Sequence, residues 1–194
     1  MPIDVGQAEK KHDSAGKRIA ASFVGDGAGK RALDIGCRDG YWSEKLKQRG
    51  YEVSSLDIEP HYTHAITHNV ESGLPYDDHT FDLVWCTEVI EHLYKPEFLL
   101  KEIERVLAPG GKAILTTPNS GAWFYPVLRL FGWTPQRLQN SDHKQFFKLR
   151  DLRRLAGERY DILGYFPYAL FFLPIRHLVG LLSPTFIFVR KSIE

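Results

Sequence analysis

From residue 31 onward, short apolar runs alternate with stretches of helical periodicity, and this alternation constrains the fold more than any other feature. A strand that returns parallel to its neighbour needs a crossover, usually a helix. The pattern therefore selects a doubly wound α/β sheet over a sandwich or a bundle. Strands are expected at residues 31–35, 52–57, 65–70, 81–86 and 112–117, with two last strands near 161–166 and 185–189 enclosing an apolar, proline-broken insertion. Helices are expected from about Tyr41, from near Pro96 and around Leu149, Leu152 and Leu155. Ala108-Pro109-Gly110-Gly111 reads as the turn that stops the helix before the fifth strand. Residues 1–30 read as a helical, Lys-rich lead-in and 31–194 as one domain.

Composition excludes several classes. With 25 Lys plus Arg against 24 Asp plus Glu, no long nucleic-acid footprint is expected. Only Cys37 and Cys86 occur, too few for a disulfide-stapled scaffold. The N-terminus lacks a signal-peptide apolar segment, and no uncharged apolar run reaches the roughly 18–20 residues that cross a bilayer. A cytoplasmic location is the default expectation.

In doubly wound sheets ligands sit beyond the carboxyl ends of the strands, at the topological switch point. There the segment Leu33-Asp34-Ile35-Gly36-Cys37-Arg38-Asp39-Gly40 joins a strand to a helix through glycines. Gly36 lets the backbone approach a ligand closely. Asp57, twenty-one residues after Gly36 and ending the next strand, suits a carboxylate that binds both hydroxyls of a ribose. Short glycine motifs also occur by chance in α/β chains. The nicotinamide fingerprint is not met, since Arg38 stands where its second glycine would be, and no G-K-[ST] phosphate loop occurs.

Several segments, in order and at suitable spacing from about residue 31 to 119, resemble class I S-adenosylmethionine (SAM)-dependent methyltransferases of the small type 11/23 kind. Leu33-Asp34-Ile35-Gly36-Cys37 is similar to their first motif, and Asp57 to their acidic ribose-binding position. Asn69 with Leu74-Pro75-Tyr76-Asp77, then Glu88-Val89-Ile90-Glu91-His92-Leu93 and Leu107-Ala108-Pro109-Gly110-Gly111, resemble the later ones. The resemblance implies a Rossmann-like, mostly parallel seven-stranded sheet with an antiparallel C-terminal strand, and SAM as cofactor. It implies that Asp34, Gly36, Cys37, Asp39 and Gly40 hold the methionine end, joined by Cys86, Thr87 and Glu88. Asp57 would bind the ribose, Ile58 the adenine face, and Asn69 and Val70 the adenine edge. Two departures stand out. Arg38 replaces the usual central glycine, and only residues 58–64 separate the second and third strands. Cys37 and Cys86, at the tips of neighbouring strands, are expected close together in a packing role.

Methyl transfer needs an aligned nucleophile and, where a proton is lost, a base. Candidates are His92, His143, Tyr41 and Glu88, with the two histidines taken as the catalytic pair. Glu88, Glu91 and His92 fall at i, i+3 and i+4, and with His143 they resemble the E-x-x-E-H plus distant His set of metal-using O-methyltransferases. The same string occurs in related enzymes with no metal, so no resident metal is assigned at this point. The acceptor side is expected at Asn119, Trp123, Tyr125 and Phe146. The expected activity is methylation, at oxygen, of a small glycan, lipid or quinone-like precursor. A non-catalytic SAM-binding accessory protein and a metal-dependent RNA 2′-O-methyltransferase are the alternatives. Nucleic acid is not an expected partner. The aromatic stretch 165–175 leaves peripheral membrane contact open, with a core hairpin preferred, and the chain is expected to act as a monomer or homodimer.

Overall fold

A computed structural model describes residues 13–139, 142–168 and 171–191. Eight strands are assigned: β1 (Arg31–Ile35), β2 (Glu52–Asp57), β3 (Ile66–Thr67), β4 (Phe81–Thr87), β5 (Leu107–Pro118), β6 (Tyr160–Tyr168), β7 (Phe171–Ile175) and β8 (Thr185–Arg190). They form one sheet in the order β3-β2-β1-β4-β5-β8-β6-β7. The first five are parallel, β8 runs antiparallel to β5 and β6, and β7 runs antiparallel to β6. The doubly wound architecture is as expected, with eight strands rather than seven. The extra strand comes from the apolar insertion, which folds back on β6 as a hairpin.

Alternation along the strands divides the core into two layers. Leu33 and Ile35, Ala113 and Leu115, Phe186 and Phe188 face one side, packed against helices α3 (Pro96–Val106) and α6 (Leu149–Ala156). Ala32, Trp85, Ile114 and Ile187 face the other, under α1 (Ala15–Ala21) and α2 (Tyr41–Gln48). Helix α3 starts on Pro96 and buries Leu99, Leu100, Ile103 and Val106. Each such side chain contributes roughly 1.5–3 kcal/mol by leaving water. In α6, Leu152 is buried while Arg150, Arg153 and Arg154 stay exposed, as the periodicity predicts. Helix α1 starts at Ser14, whose side chain accepts from the Lys17 N–H at 3.3 Å, and it buries Ala20 and Ala21. The described part of the lead-in thus packs on the sheet; its residues 1–12 lie outside the described residues.

Two connections differ from the sequence reading. The third strand shrinks from 65–70 to Ile66–Thr67, because Asn69 instead caps a 3-10 turn, Val70–Ser72, by accepting from the Glu71 N–H at 3.0 Å. No helix is assigned between β2 and β3. The 74–78 loop is held from the neighbouring helix by Arg105, which donates to the carbonyls of Leu74 and Tyr76 and pairs with Glu102 and Asp78. The expected turn at 108–111 is absorbed into β5 as a bulge. Phe81 faces Leu107 and Leu83 already faces Lys112, so the residues between loop out, with Gly110 at a left-handed φ of 75°.

After β5 the chain forms the short helices α4 (Phe124–Arg129) and α5 (Pro135–Leu138), and α7 (Val179–Leu182) lies between β7 and β8. The hairpin is locked close to the sheet end. Ser183 Oγ accepts from the Tyr165 N–H at 2.9 Å, and a Cβ on Gly164 would stand 2.5 Å from that of Ser183. Residues 169–170, in the aromatic stretch, lie outside the described residues.

Candidate active site

The carboxyl ends of β1, β2, β4 and β5 open into a cavity of about 770 Å³, within the ~300–1,000 Å³ usual for small-ligand sites. The β1–α2 turn forms its floor. Gly36 (φ 77°), Arg38 (φ 48°) and Gly40 (φ 79°) all take left-handed backbone, so Arg38 adopts the conformation that a glycine would otherwise supply. A Cβ on Gly36 would meet Val89 Cγ2 at 2.4 Å, so only glycine fits this cradle. The turn is tied to β2 by the Gly36 and Cys37 N–H groups, both donating to Leu56 O.

Asp57 is fixed at both oxygens. Oδ2 accepts from the Arg38 N–H and Oδ1 from the Glu59 N–H, each at 2.9 Å. The carboxylate lines the cavity with lone pairs left over for hydroxyl donors. Asp34 is buried beneath the turn, where Ser43 Oγ donates to its Oδ2 at 2.6 Å and also meets Ser55 Oγ at 2.8 Å. Burial pushes the Asp34 carboxyl up to about 7, against a smaller lowering by Ser43 and Lys17. A cationic ligand group beside Asp34 would restore its charged form.

Across the cavity, β4 ends at buried Thr87 and at Glu88, which holds a left-handed φ of 58°. Glu88 is tied to β5 twice. Its N–H donates to Thr116 O, and its Oε1 accepts from Thr116 Oγ1 at 2.8 Å. Glu91 then turns inward. Oε2 accepts from Thr117 Oγ1 at 3.0 Å, while Oε1 is buried without a hydrogen-bond partner. Burial, then the nearby Glu88 charge, raises the Glu91 carboxyl well above the usual carboxylate range. The Glu91 carbonyl accepts from the Lys144 and Gln145 N–H groups at 2.9 Å, which pins the 142–147 segment to this turn. The His92 and His143 rings consequently meet edge to face, centroids 4.7 Å apart. Ligand atoms of Glu91, His92 and His143 all lie within 4.8 Å of one another. Burial lowers the His92 imidazole below its ordinary value.

Most of the expected cofactor residues meet at this cavity. Asp34, Gly36, Cys37, Asp39, Asp57, Ile58, Asn69, Val70, Thr87 and Glu88 line it, as do Tyr41, Glu91, His92 and His143. Gly40 and Cys86 are not among the lining residues. Gly40 lies under the Tyr62 ring at the start of α2, and Cys86 is fully buried behind Thr87. Cys86 pairs with Ile35 in the sheet, two residues from Cys37. Burial raises both thiols, that of Cys37 to about 12, so neither is a thiolate nucleophile at neutral pH.

The expected acceptor-side residues fall elsewhere. Asn119 is fully buried, donating to Gly180 O and Ser183 O and accepting from the Gly121 N–H. Trp123 points to solvent. Tyr125 and Phe146 stand behind the wall, Tyr125 Oη accepting from Gln139 Nε2 at 3.0 Å and Phe146 against the His143 ring. Pro118, Gln139, Lys144, Ser14 and Lys17 line the cavity in their place. For Ser14 and Lys17 the available signal was the helix-capping pattern of a Ser before 15–21.

Fold and site define a class: an α/β protein whose switch-point cavity, with a strand-terminal carboxylate and a glycine cradle, has the shape and donor set that suit a nucleoside. Comparison with known proteins gives the family. A family described as "Methyltransferase domain" matches residues 7–161. The chain is 34% identical to a ubiquinone biosynthesis O-methyltransferase of Caulobacter sp. (strain K31), over 79% of this chain and 70% of that protein. It is 31% identical to the protein of that name in Idiomarina loihiensis, over 66% of this chain and 60% of the relative. Over some Pseudomonas relatives of the same name the match spans half of their length. A SAM-dependent methyltransferase structure from Archaeoglobus fulgidus superposes with a TM-score of 0.64 at 15% identity, covering 91% of this chain and 92% of that one. The chain belongs to the methyltransferase-domain family: it is a class I SAM-dependent methyltransferase, and SAM is its cofactor. The Gly36 cradle and the doubly anchored Asp57 carboxylate fit that molecule on their own terms. Among the described residues no helix is long and apolar enough to cross a membrane.

Proposed function

We propose that this protein methylates a hydroxyl oxygen of a small quinone-like precursor, a hydroxylated ring with neighbouring oxygens. The observation that carries this reading is the Glu91–His92–His143 group on the cavity wall, with its atoms within 4.8 Å and one buried carboxylate oxygen unpartnered. Relatives named ubiquinone biosynthesis O-methyltransferases support it.

SAM supplies an electrophilic methyl on a sulfonium, so carbon–sulfur cleavage accompanies formation of the new oxygen–carbon bond. Asp57 and the Gly36 turn hold the nucleoside, and Asp34 faces the amino end. The imidazoles of His92 and His143 stand where an acceptor hydroxyl would deliver its proton. Lys144, Gln139 and Pro118 close that side against water. The Glu91, His92 and His143 side chains fit a divalent cation, since Glu91 Oε1 is an acceptor in need of a partner and two imidazoles flank it. Bound there, such a cation would lower the pKa of a hydroxyl it contacts, and the proton would then leave to solvent rather than to the ligating imidazoles. Glu91, His92 and His143 would be its holders.

The test begins with calorimetry of SAM and S-adenosylhomocysteine on the wild type and on Asp57→Ala. Loss of charge-assisted hydrogen bonds, roughly 1.5–3 kcal/mol, should weaken binding at least about tenfold. Turnover of a catechol-type acceptor and of its mono-hydroxyl analogue is then compared, alongside Mn²⁺ binding by calorimetry. Methylation of the catechol, lost in His143→Ala with SAM affinity retained, is the expected result. SAM binding without turnover of any hydroxylated ring would sink the acceptor assignment and favour an accessory role.

A further inference from the structure

The outer face beside this cavity is apolar and aromatic, and the chain segments that build it carry no acid. Trp123, Val127 and Leu130 fall at i, i+4 and i+7 along α4 and its flanks, and Phe131 follows. All four are exposed, Leu130 at 83% and Phe131 at 73%. The Trp123 N–H donates to Leu181 O at 2.8 Å, which sets exposed Leu178 and Leu181 beside them. Two separate chain segments therefore build one apolar face. Soluble monomers rarely leave such a patch open without a use for it.

Charge identifies the occupant. The sequence holds no Asp or Glu between Glu104 and Asp142, and none between Asp161 and Glu194, although acids and bases balance over the whole chain. The two patch segments fall inside these acid-free stretches; Arg129 lies within the first, while Arg137 and Arg176 lie a few residues along the chain from them. No ion pair among the described residues engages these three. A second copy would bring the same patch to both sides of a two-fold interface, setting guanidiniums against guanidiniums with no carboxylate between. An anionic surface matches both the charge and the Trp and Phe side chains, which favour the headgroup level of a bilayer. With α4 only six residues long, the mode is lying on the surface rather than crossing it.

We propose that the face built by α4 and the 178–181 segment docks on an anionic lipid bilayer. Its position relates it to the cavity. Gln139 lines the cavity near His143 and donates to Tyr125 Oη on α4, so a docked membrane would border the acceptor side. Docking through this face does not depend on which acceptor is methylated.

The experiment is co-sedimentation of the whole chain with phosphatidylcholine vesicles, with and without added phosphatidylglycerol, on wild type, Leu130→Glu/Phe131→Glu and Arg129→Ala. Light scattering after size exclusion and SAM calorimetry accompany it. Binding to the phosphatidylglycerol vesicles is expected, weakening with salt. The double variant should lose about tenfold or more of it while keeping SAM affinity, and Arg129→Ala should lose about fivefold. Three outcomes overturn the proposal: no wild-type partition onto the anionic vesicles, undiminished partition of a double variant that still binds SAM, or a wild-type dimer that this variant dissociates while vesicles stay unbound. The last would assign the face to a second copy.

Discussion

SAM should bind more tightly as pH rises through neutrality, and the cause is Asp34. Burial lifts its carboxyl from 3.8 to about 7, which means the fold disfavours its charged form by about 4 kcal/mol. The sign for the unliganded chain follows from proton counting. A carboxyl with a raised folded pKa contributes most at low pH, and that contribution is lost as pH climbs from about 4 to about 7. An ammonium at the methionine end of SAM reverses the preference, so binding below neutrality releases a proton. Affinity should therefore change about tenfold, ~1.4 kcal/mol, between about pH 6 and about pH 8. Calorimetry in two buffers of different protonation enthalpy reads that release directly. His68, His92 and His143 line the same cavity, so a second perturbation is needed. Ser43→Ala removes the hydroxyl that donates to Asp34 at 2.6 Å and lowers its pKa. The profile should then move to higher pH. An unchanged profile in Ser43→Ala, or no proton release in the wild type, refutes the assignment of Asp34.

Three further outcomes are expected. Gly36→Ala forces a Cβ to 2.4 Å from Val89 Cγ2 at a φ of 77°, and should cost about 1–3 kcal/mol in urea unfolding and abolish measurable SAM binding. Ile103→Ala, in the fully buried face of α3, should cost about 2–5 kcal/mol without changing SAM affinity in the fraction that stays folded; a cost below about 1 kcal/mol would show that α3 packs more loosely than drawn. Mn²⁺ should raise the melting temperature of the wild type but not of Glu91→Gln, and an equal rise in both would place the ion elsewhere.

The legible parts of the molecule were those with a local physical signal. Strand 52–57 ends on Asp57 as read, because alternation around Val53 and a terminal acid are encoded in six consecutive residues. Helix α3 likewise begins on Pro96, and the cofactor floor is a contiguous motif. What escaped depended on distant partners. Asn119 looked like an acceptor contact beside Pro118, yet its amide is consumed by carbonyls at 180 and 183, more than sixty residues away. Trp123 read as a pocket aromatic, but helical spacing alone does not say whether a stripe faces inward or out. Gln139 and Lys144 gave no pattern; the Glu91 carbonyl draws Lys144 in through its backbone. The extra strand was hidden by prolines in the insertion, which sit at a sheet edge where a missing N–H costs little.

The bare connection between β2 and β3 has a bearing on which cofactors the site can use. With no helix over residues 58–65 and Ile58 at 63% exposure, the cavity has no helical cover beside Asp57. A nucleoside whose ribose was held by Asp57 would leave one face of its base open to solvent there. SAM analogues modified on that open face would then be taken without any reshaping of the cavity.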